Sequence, residues 1–117
     1  MISLAFFAAY DPVTPGALSP AIATDLLRGE LDFEGVAVTD DLSSGAISAG
    51  IGAPDAAVQA LAAGADLAVV SDPAEAQKAR MAILSAAHSG EIPRDRLDQA
   101  AARVLTLKEQ LGLLPGS

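Results

Sequence analysis

The order of apolar and polar positions along the chain switches between two rhythms. Residues 2–9 are almost wholly apolar and carry no helical cap, which predicts a buried first strand. Asp11-Pro12-Val13-Thr14-Pro15-Gly16 is a loop, because two prolines and a glycine break any regular element. Ser19-Pro20 then predicts a helix start, with Ser19 capping free N–H groups and Pro20 in the first helical position. Ile22, Leu26 and Leu27 give that helix an apolar stripe, which fades near Leu31, before Gly35. Residues 36–39 form a short β-branched run and predict the second strand. Residues 41–54 read as loop, with a helical turn near Ala46-Ile47. Pro54-Asp55 opens a helix with Val58 and Leu61 on one face, and Gly64 stops it. Residues 66–70 predict the third strand. Ser71-Asp72-Pro73 ends that strand and caps a helix to about Ser89. Beyond Gly90 and Pro93, a last helix carries Leu97, Ala101, Val104, Leu105 and Leu111 at helical spacing until Gly112.

Strand, helix, strand, helix, strand, helix, helix is the order of right-handed βα units, which predicts an α/β fold with a parallel sheet and helices outside it. The strands are apolar on both faces, as buried parallel strands are. No linker divides residues 1–117, so the chain is expected to be one domain. Three parallel strands cannot close a barrel, however, and leave a narrow sheet with two exposed edges. The pattern thus predicts either further strands from another chain or a piece of a larger domain.

Composition sharpens this picture. The chain is 51% apolar but has only three Phe and one Tyr, so its core must be built from Ala, Leu, Val and Ile. Alanine clusters such as Ala100-Ala101-Ala102 predict helices lying close to what they cover. Seven basic against fifteen acidic residues give a net charge of −8, which excludes nucleic acid as a natural partner. The absence of cysteine excludes disulfides and thiolate metal sites. The longest apolar run, residues 4–10, is far below the roughly 20 residues that span a bilayer. Residues 1–9 hold no Lys or Arg, and Tyr10-Asp11-Pro12 is a poor cleavage site, so a strand is expected there and not a secretion signal.

Chemistry concentrates at Thr39-Asp40-Asp41-Leu42-Ser43. In a parallel sheet the C-terminal tip of a strand is where active sites sit. Successive residues there point in different directions, so one carboxylate can face a site while the other braces a neighbouring loop. Asp40 and Asp41 suit a nucleophile, a general base or a metal ligand, or else a turn cap beside Ser43. Ser71 and Asp72 occupy the corresponding tip of the third strand, where Asp72 before Pro73 has the position of a helix N-cap. Asp11 lies beyond the first strand and either faces the same mouth or forms a turn. His88, the only histidine, stands at a helix C-terminus facing away from the strand tips. No metal constellation and no phosphate-binding glycine motif is present, and Ser43 and Ser44 lack a nucleophile-elbow context. A receiver-like or phosphatase-like site holding Mg²⁺ would need a lysine at a strand tip, and Lys78 and Lys108 both fall within helices.

The stretches Pro15-Gly16-Ala17-Leu18-Ser19-Pro20 and Leu26-Leu27-Arg28-Gly29-Glu30-Leu31-Asp32-Phe33-Glu34-Gly35, followed by Val36-Ala37-Val38-Thr39-Asp40-Asp41-Leu42-Ser43, resemble glycoside hydrolase family 3, most closely its β-N-acetylhexosaminidase branch. Ala63-Gly64-Ala65-Asp66-Leu67 resembles the family's last barrel strand. Gly90-Glu91-Ile92-Pro93, Arg96-Leu97-Asp98, Arg103-Val104-Leu105 and Lys108 resemble its closing helices. The resemblance implies that the chain is the last three βα units of a (β/α)₈ TIM barrel, which in full runs to about 250 residues. It implies that Asp40 is the nucleophile of a retaining glycosidase, with Asp41 in support and a β-linked N-acetylglucosaminide or related glycoside as substrate. Asp11 and Ser71, from their places beyond the strand tips, are further supporting candidates, and neither cofactor nor metal is expected. The family's acid/base loop, a His paired with an Asp, lies upstream of the matched region, and His88 does not replace it. Leu4 stands where many members have a His, Asp32 where a Gly is usual, and Ser44 where a Met is usual. The resemblance therefore implies a glycosidase fragment that is, alone, inactive or nearly so. The competing expectation is a non-catalytic half-barrel that oligomerises over its sheet edges or binds carbohydrate.

Overall fold

The computed structural model describes residues 1–43 and 50–116. The helical turn expected near Ala46-Ile47, and Ser44, lie outside the described residues. Strand β1 (Val38–Asp41) and strand β2 (Leu67–Val69) pair in parallel. Three α-helices follow in order: α1 (Ala53–Ala63), α2 (Pro73–Ser89) and α3 (Arg94–Gln110). The α/β class and parallel sheet expected from the pattern are present. No helix among the described residues is long and apolar enough to cross a membrane.

The first expected strand is a correction. Only Ile2 joins the sheet, through a parallel bridge to Thr39. Its N–H donates to the Val38 carbonyl at 2.7 Å, and its carbonyl accepts from the Asp40 N–H at 3.1 Å. Beyond it the backbone turns away. The Ser3 hydroxyl oxygen accepts from the Ala5 N–H at 3.0 Å, and Tyr10 and Asp11 both donate to the Phe7 carbonyl. Phe6, Phe7 and Tyr10 are exposed, while Leu4 alone of the run's large side chains is buried. The outer side of this segment is not open either. A short 3₁₀ helix, Gly16–Leu18, donates from Gly16 to the Ala5 carbonyl and from Ala17 to the Ser3 carbonyl, both at 2.9 Å. The expectation of two exposed sheet edges is therefore wrong on this side, and the edge left unpaired among the described residues is that of β2.

The helix expected after Ser19-Pro20 is present but wider than an α-helix. Ala21–Glu30 is a π-helix, and the Leu31 N–H that closes it donates to the Leu26 carbonyl five residues back. Ser19 does not cap it with its side chain. The Ser19 carbonyl accepts from Ile22 and Ala23 instead, while its buried hydroxyl donates to Asp11 Oδ2 at 2.7 Å. Asp32 follows with a φ of 52°, a left-handed conformation that explains the glycine usual at this place in the resembling pattern.

The stop signals hold where they were placed. Gly64 ends α1 with a φ of 133°, and Gly90 ends α2 in the left-handed region with a φ of 83°. A Cβ on Gly64 would stand 2.4 Å from Thr24 Oγ1, so the end of α1 touches the π-helix where no side chain fits. The core is alanine-rich as expected. Ala17, Ala56, Ala57, Ala60 and Ala65 are fully buried, and their small side chains let α1 lie close against α2 and the sheet. Ile92 fills a second cluster with Val58, Leu61 and Ala86 where the chain passes from α2 into α3.

Candidate active site

β1 ends at Asp41, and β2 ends one residue short of Val70 and two short of Ser71, so the two strand tips open at the same end of the sheet. Their register is uneven. Val38 lies opposite Leu67 but Asp41 lies opposite Val69, so β1 carries one residue more than β2 over this interval. That is a β-bulge, a device that bends a strand and re-aims its side chains, common beside active sites. Thr39 is fully buried at the bulge, and its hydroxyl oxygen accepts the Val69 N–H at 3.0 Å.

The two carboxylates at this tip have different surroundings. Asp41 is tied to its neighbours. Its Oδ1 accepts from the backbone N–H of Ser43 at 2.9 Å and of Ser71 at 3.0 Å, and its Oδ2 accepts from the Ser71 hydroxyl at 2.5 Å. These bonds, led by the Ser71 hydroxyl, hold its carboxyl below the ordinary value of 3.8. Asp40 is exposed, and its Oδ1 accepts from the Asp41 N–H at 2.7 Å.

Among the other residues singled out in the sequence, Ser71 is thus joined to Asp41 across the strand tips. Asp72 is the N-cap of α2, accepting from Ala74 at 2.9 Å and Glu75 at 3.1 Å. Asp11 folds its own turn: Oδ1 accepts from Val13 at 3.2 Å and Thr14 at 3.0 Å, while Oδ2 takes the Ser19 hydroxyl. The Ser19 hydroxyl and then the Val13 N–H lower its pKa from 3.8. His88 sits in the last turn of α2, whose first turn adjoins the strand tips. A helix of 17 residues spans about 25 Å, which removes His88 from them. Lys78 pairs with Glu75 at 2.9 Å on the exposed side of α2. No group of His, Asp and Glu among the described residues is arranged to hold a metal ion.

The sequence reading missed a cluster at the opposite end of the sheet. Asp66, just before β2, has a fully buried side chain that pairs with three arginines. Arg28 reaches Oδ2 at 2.7 Å, while Arg96 and Arg103 reach Oδ1 at 2.8 and 3.1 Å. Burial alone would raise the Asp66 pKa, but the Ala37 N–H and the guanidiniums of Arg96 and Arg103 outweigh it and bring it below 3.8. Arg28 also donates to the Phe33 and Gly35 carbonyls and lies 5.3 Å from the centre of the Phe33 ring. Arg96 donates to the carbonyls of Leu61 and Ala65. The available signal was one Asp between Ala65 and Leu67 in an apolar stretch, since a carboxylate there needs buried partners. The cluster sits at the N-terminal ends of the strands, the end of a βα fold that serves stability.

Residues 1–107 match the family described as the glycosyl hydrolase family 3 N terminal domain. A beta-N-acetylglucosaminidase/beta-glucosidase from Cellulomonas fimi is 30% identical over 105 residues, which are 90% of this chain and 18% of that protein. The solved structure of a glycoside hydrolase family 3 beta-N-acetylglucosaminidase from Paenibacillus sp. str. FPU-7 superposes with a TM-score of 0.89 at 42% identity, covering 95% of this chain and 22% of that one. A beta-N-acetylhexosaminidase from Beutenbergia cavernae DSM 12333 superposes with a TM-score of 0.83 at 38% identity, covering 92% of this chain and 32% of that one. The chain thus spans less than a third of each of these relatives. With the match running along nearly its whole length, the chain belongs to glycosyl hydrolase family 3, within the family's N-terminal, TIM-barrel-type domain.

Proposed function

We propose that residues 1–117 are one partial domain, the last three βα units of a family 3 barrel, and that Asp40 is the nucleophile of a retaining glycosidase acting on β-linked N-acetylglucosaminides. The observation that carries this reading is the division of labour at the tip of β1. Asp41 is bound on both oxygens to Ser71 and Ser43, while Asp40 turns to solvent at the end of the sheet where barrel enzymes react substrates.

In this reading the Asp40 carboxylate attacks the anomeric carbon. The glycosidic C–O bond breaks, and the leaving oxygen takes a proton from a general acid. Water then cleaves the glycosyl ester, restoring Asp40 with net retention. A general acid must hold a proton at working pH. Asp41 and Asp11 are both shifted the other way, and His88 is at the far end of α2. The chain therefore supplies the nucleophile without the acid, and loss of an acid costs about 10²–10⁴-fold in rate.

A dinitrophenyl β-N-acetylglucosaminide tests this, because its leaving group departs without a proton. The purified chain is expected to show no sustained turnover of the nitrophenyl analogue. With the dinitrophenyl substrate it should form a glycosyl ester, mapped to Asp40 by mass spectrometry and absent from Asp40→Asn. No ester, or one mapped elsewhere, removes Asp40 as nucleophile. Steady turnover overturns the inactivity of the chain alone.

One further observation favours a second reading, that of an oligomerising half-barrel. The free edge of β2 exposes Leu67 and Val69 and is flanked by two apolar hollows of about 300 and 390 Å³. One is lined by Val70, Ile83 and Leu84, the other by Leu97, Val104 and Leu105. A second copy laid on that edge would cover them, and light scattering would then give twice the mass of 11.7 kDa.

A further inference from the structure

We infer that Thr39 is a positioning residue for Asp40, its buried hydroxyl holding the bulge from which the Asp40 carboxylate is presented. The inference rests on the reading of Asp40 as the nucleophile and adds the residue that aims it.

Three observations meet at Thr39. First, it sits within the interval where β1 carries its extra residue. A two-residue stretch of β2 faces a three-residue advance of β1, so the regular ladder cannot continue through it. Second, the Thr39 hydroxyl oxygen accepts the Val69 N–H at 3.0 Å, so a side chain takes part in bonding the strands at the point of mismatch. Third, the residue is fully buried and its backbone is also bridged to Ile2 on the other side. A β-branched side chain is stiff at χ1, and here it is enclosed, so the hydroxyl has little freedom to leave its donor.

The consequence falls on the next residue. Thr39 is buried while Asp40, the next residue along the bulge, is exposed to solvent. The Asp40 N–H is fixed to the Ile2 carbonyl, and Asp40 Oδ1 is held by the Asp41 N–H at 2.7 Å. With Oδ1 engaged in that bond, Oδ2 is the attacking oxygen in this reading. Valine matches threonine in shape but offers no acceptor, so Thr39→Val takes away the partner of the part-buried Val69 N–H and removes what holds the bulge. Serine keeps the oxygen and loses only the methyl.

Nuclear magnetic resonance of the isotope-labelled chain reads both ends of this arrangement without needing turnover. In the unaltered chain the Asp41 amide should be protected from exchange with solvent, because Asp40 Oδ1 is its acceptor. In Thr39→Val the Val69 amide should exchange about tenfold faster, and the Asp41 amide should lose its protection. Thr39→Ser should keep both amides close to the original. The inference is overturned if Thr39→Val folds and keeps the Asp41 protection, or if Thr39→Ser folds and loses it. Should Thr39→Val fail to fold, Thr39→Ser decides by the same criterion, read alongside Asp40→Ala, which must remove the Asp41 protection. These readouts are independent of glycoside chemistry. If no glycosyl ester forms on Asp40, the functional reading fails while the bulge result stands, and the reverse holds equally.

Discussion

Asp32 holds a φ of 52°, where an L side chain costs about 1–2 kcal/mol that glycine avoids. Glycine loses part of that gain, about 0.5–1 kcal/mol, through the greater freedom of its unfolded chain. Asp32→Gly should therefore raise stability by about 0.5–1 kcal/mol, checked by urea denaturation. Ser71 gives a second prediction at this scale. Its hydroxyl is the leading cause of the low Asp41 pKa, so Ser71→Ala should move the Asp41 titration upward, as followed by carboxyl carbon resonances. A depressed carboxyl pKa contributes stability above the unfolded value and loses it as pH falls through the folded one. The tie between the two strand tips is thus complete above pH 3.8 and lost below it. The acidic pair was legible from residues alone, because β-branched residues ending in two carboxylates mark a strand tip. Which carboxylate is bound was not, since Ser71 stands 30 residues from Asp41 and only the paired strands bring them together.

Elements with a written signal at each end were legible. Asp72-Pro73 opens α2 and Gly90 closes it, and the side-chain cap is present at the residue that the sequence marks. The run at residues 2–9 shows what such signals leave out. Its apolar content suits a strand, but a strand also needs neighbours for its backbone, and Gly16 and Ala17 occupy the Ala5 and Ser3 carbonyls first. The π-helix was equally hidden, because a shift to hydrogen bonds five residues back alters no side-chain type. The junction of α1 with that helix carries the prediction for this scale. Gly64→Ala would place a Cβ 2.4 Å from Thr24 Oγ1 and 3.1 Å from the Ala23 carbonyl, at a φ of 133°. The backbone cannot yield as a side chain can, so a loss of about 2–3 kcal/mol is expected, combining strain with overpacking. Gly90, with open space around it, should tolerate the same change at the lower cost of its φ alone.

Across the whole molecule the charges are unevenly placed. Three of the seven basic residues converge on Asp66, leaving four against fourteen acidic residues elsewhere. The surface is more acidic than the net charge of −8 indicates, and such self-repulsion weakens the compact state. The melting temperature should accordingly rise between low salt and about 0.15 M, where the Debye length falls to about 8 Å. Asp66 itself ties the π-helix, the loop before β1 and α3 to one point. Asp66→Asn leaves three guanidiniums without their anion and should cost about 3–5 kcal/mol. Acid should act on the same point, because a carboxyl with a lowered pKa withdraws its stabilisation as pH falls below 3.8. Thermal melts at pH 7 and pH 3 check both, and Asp66→Asn should narrow the difference between them.

The covered edge beside Ile2 also limits how copies of this chain can join. Endless stacking of sheets needs a donor side and an acceptor side on every unit, so that each arrival presents a fresh edge to the next. Among the described residues Gly16 and Ala17 close one side, and β2 has the remaining unpaired one. Two molecules meeting along β2 would each use up what they have to offer, related by a two-fold axis and running antiparallel at the seam. Nothing is then left to recruit a third, so association of this kind is self-terminating and yields a discrete pair where an open-ended sheet would yield a fibre.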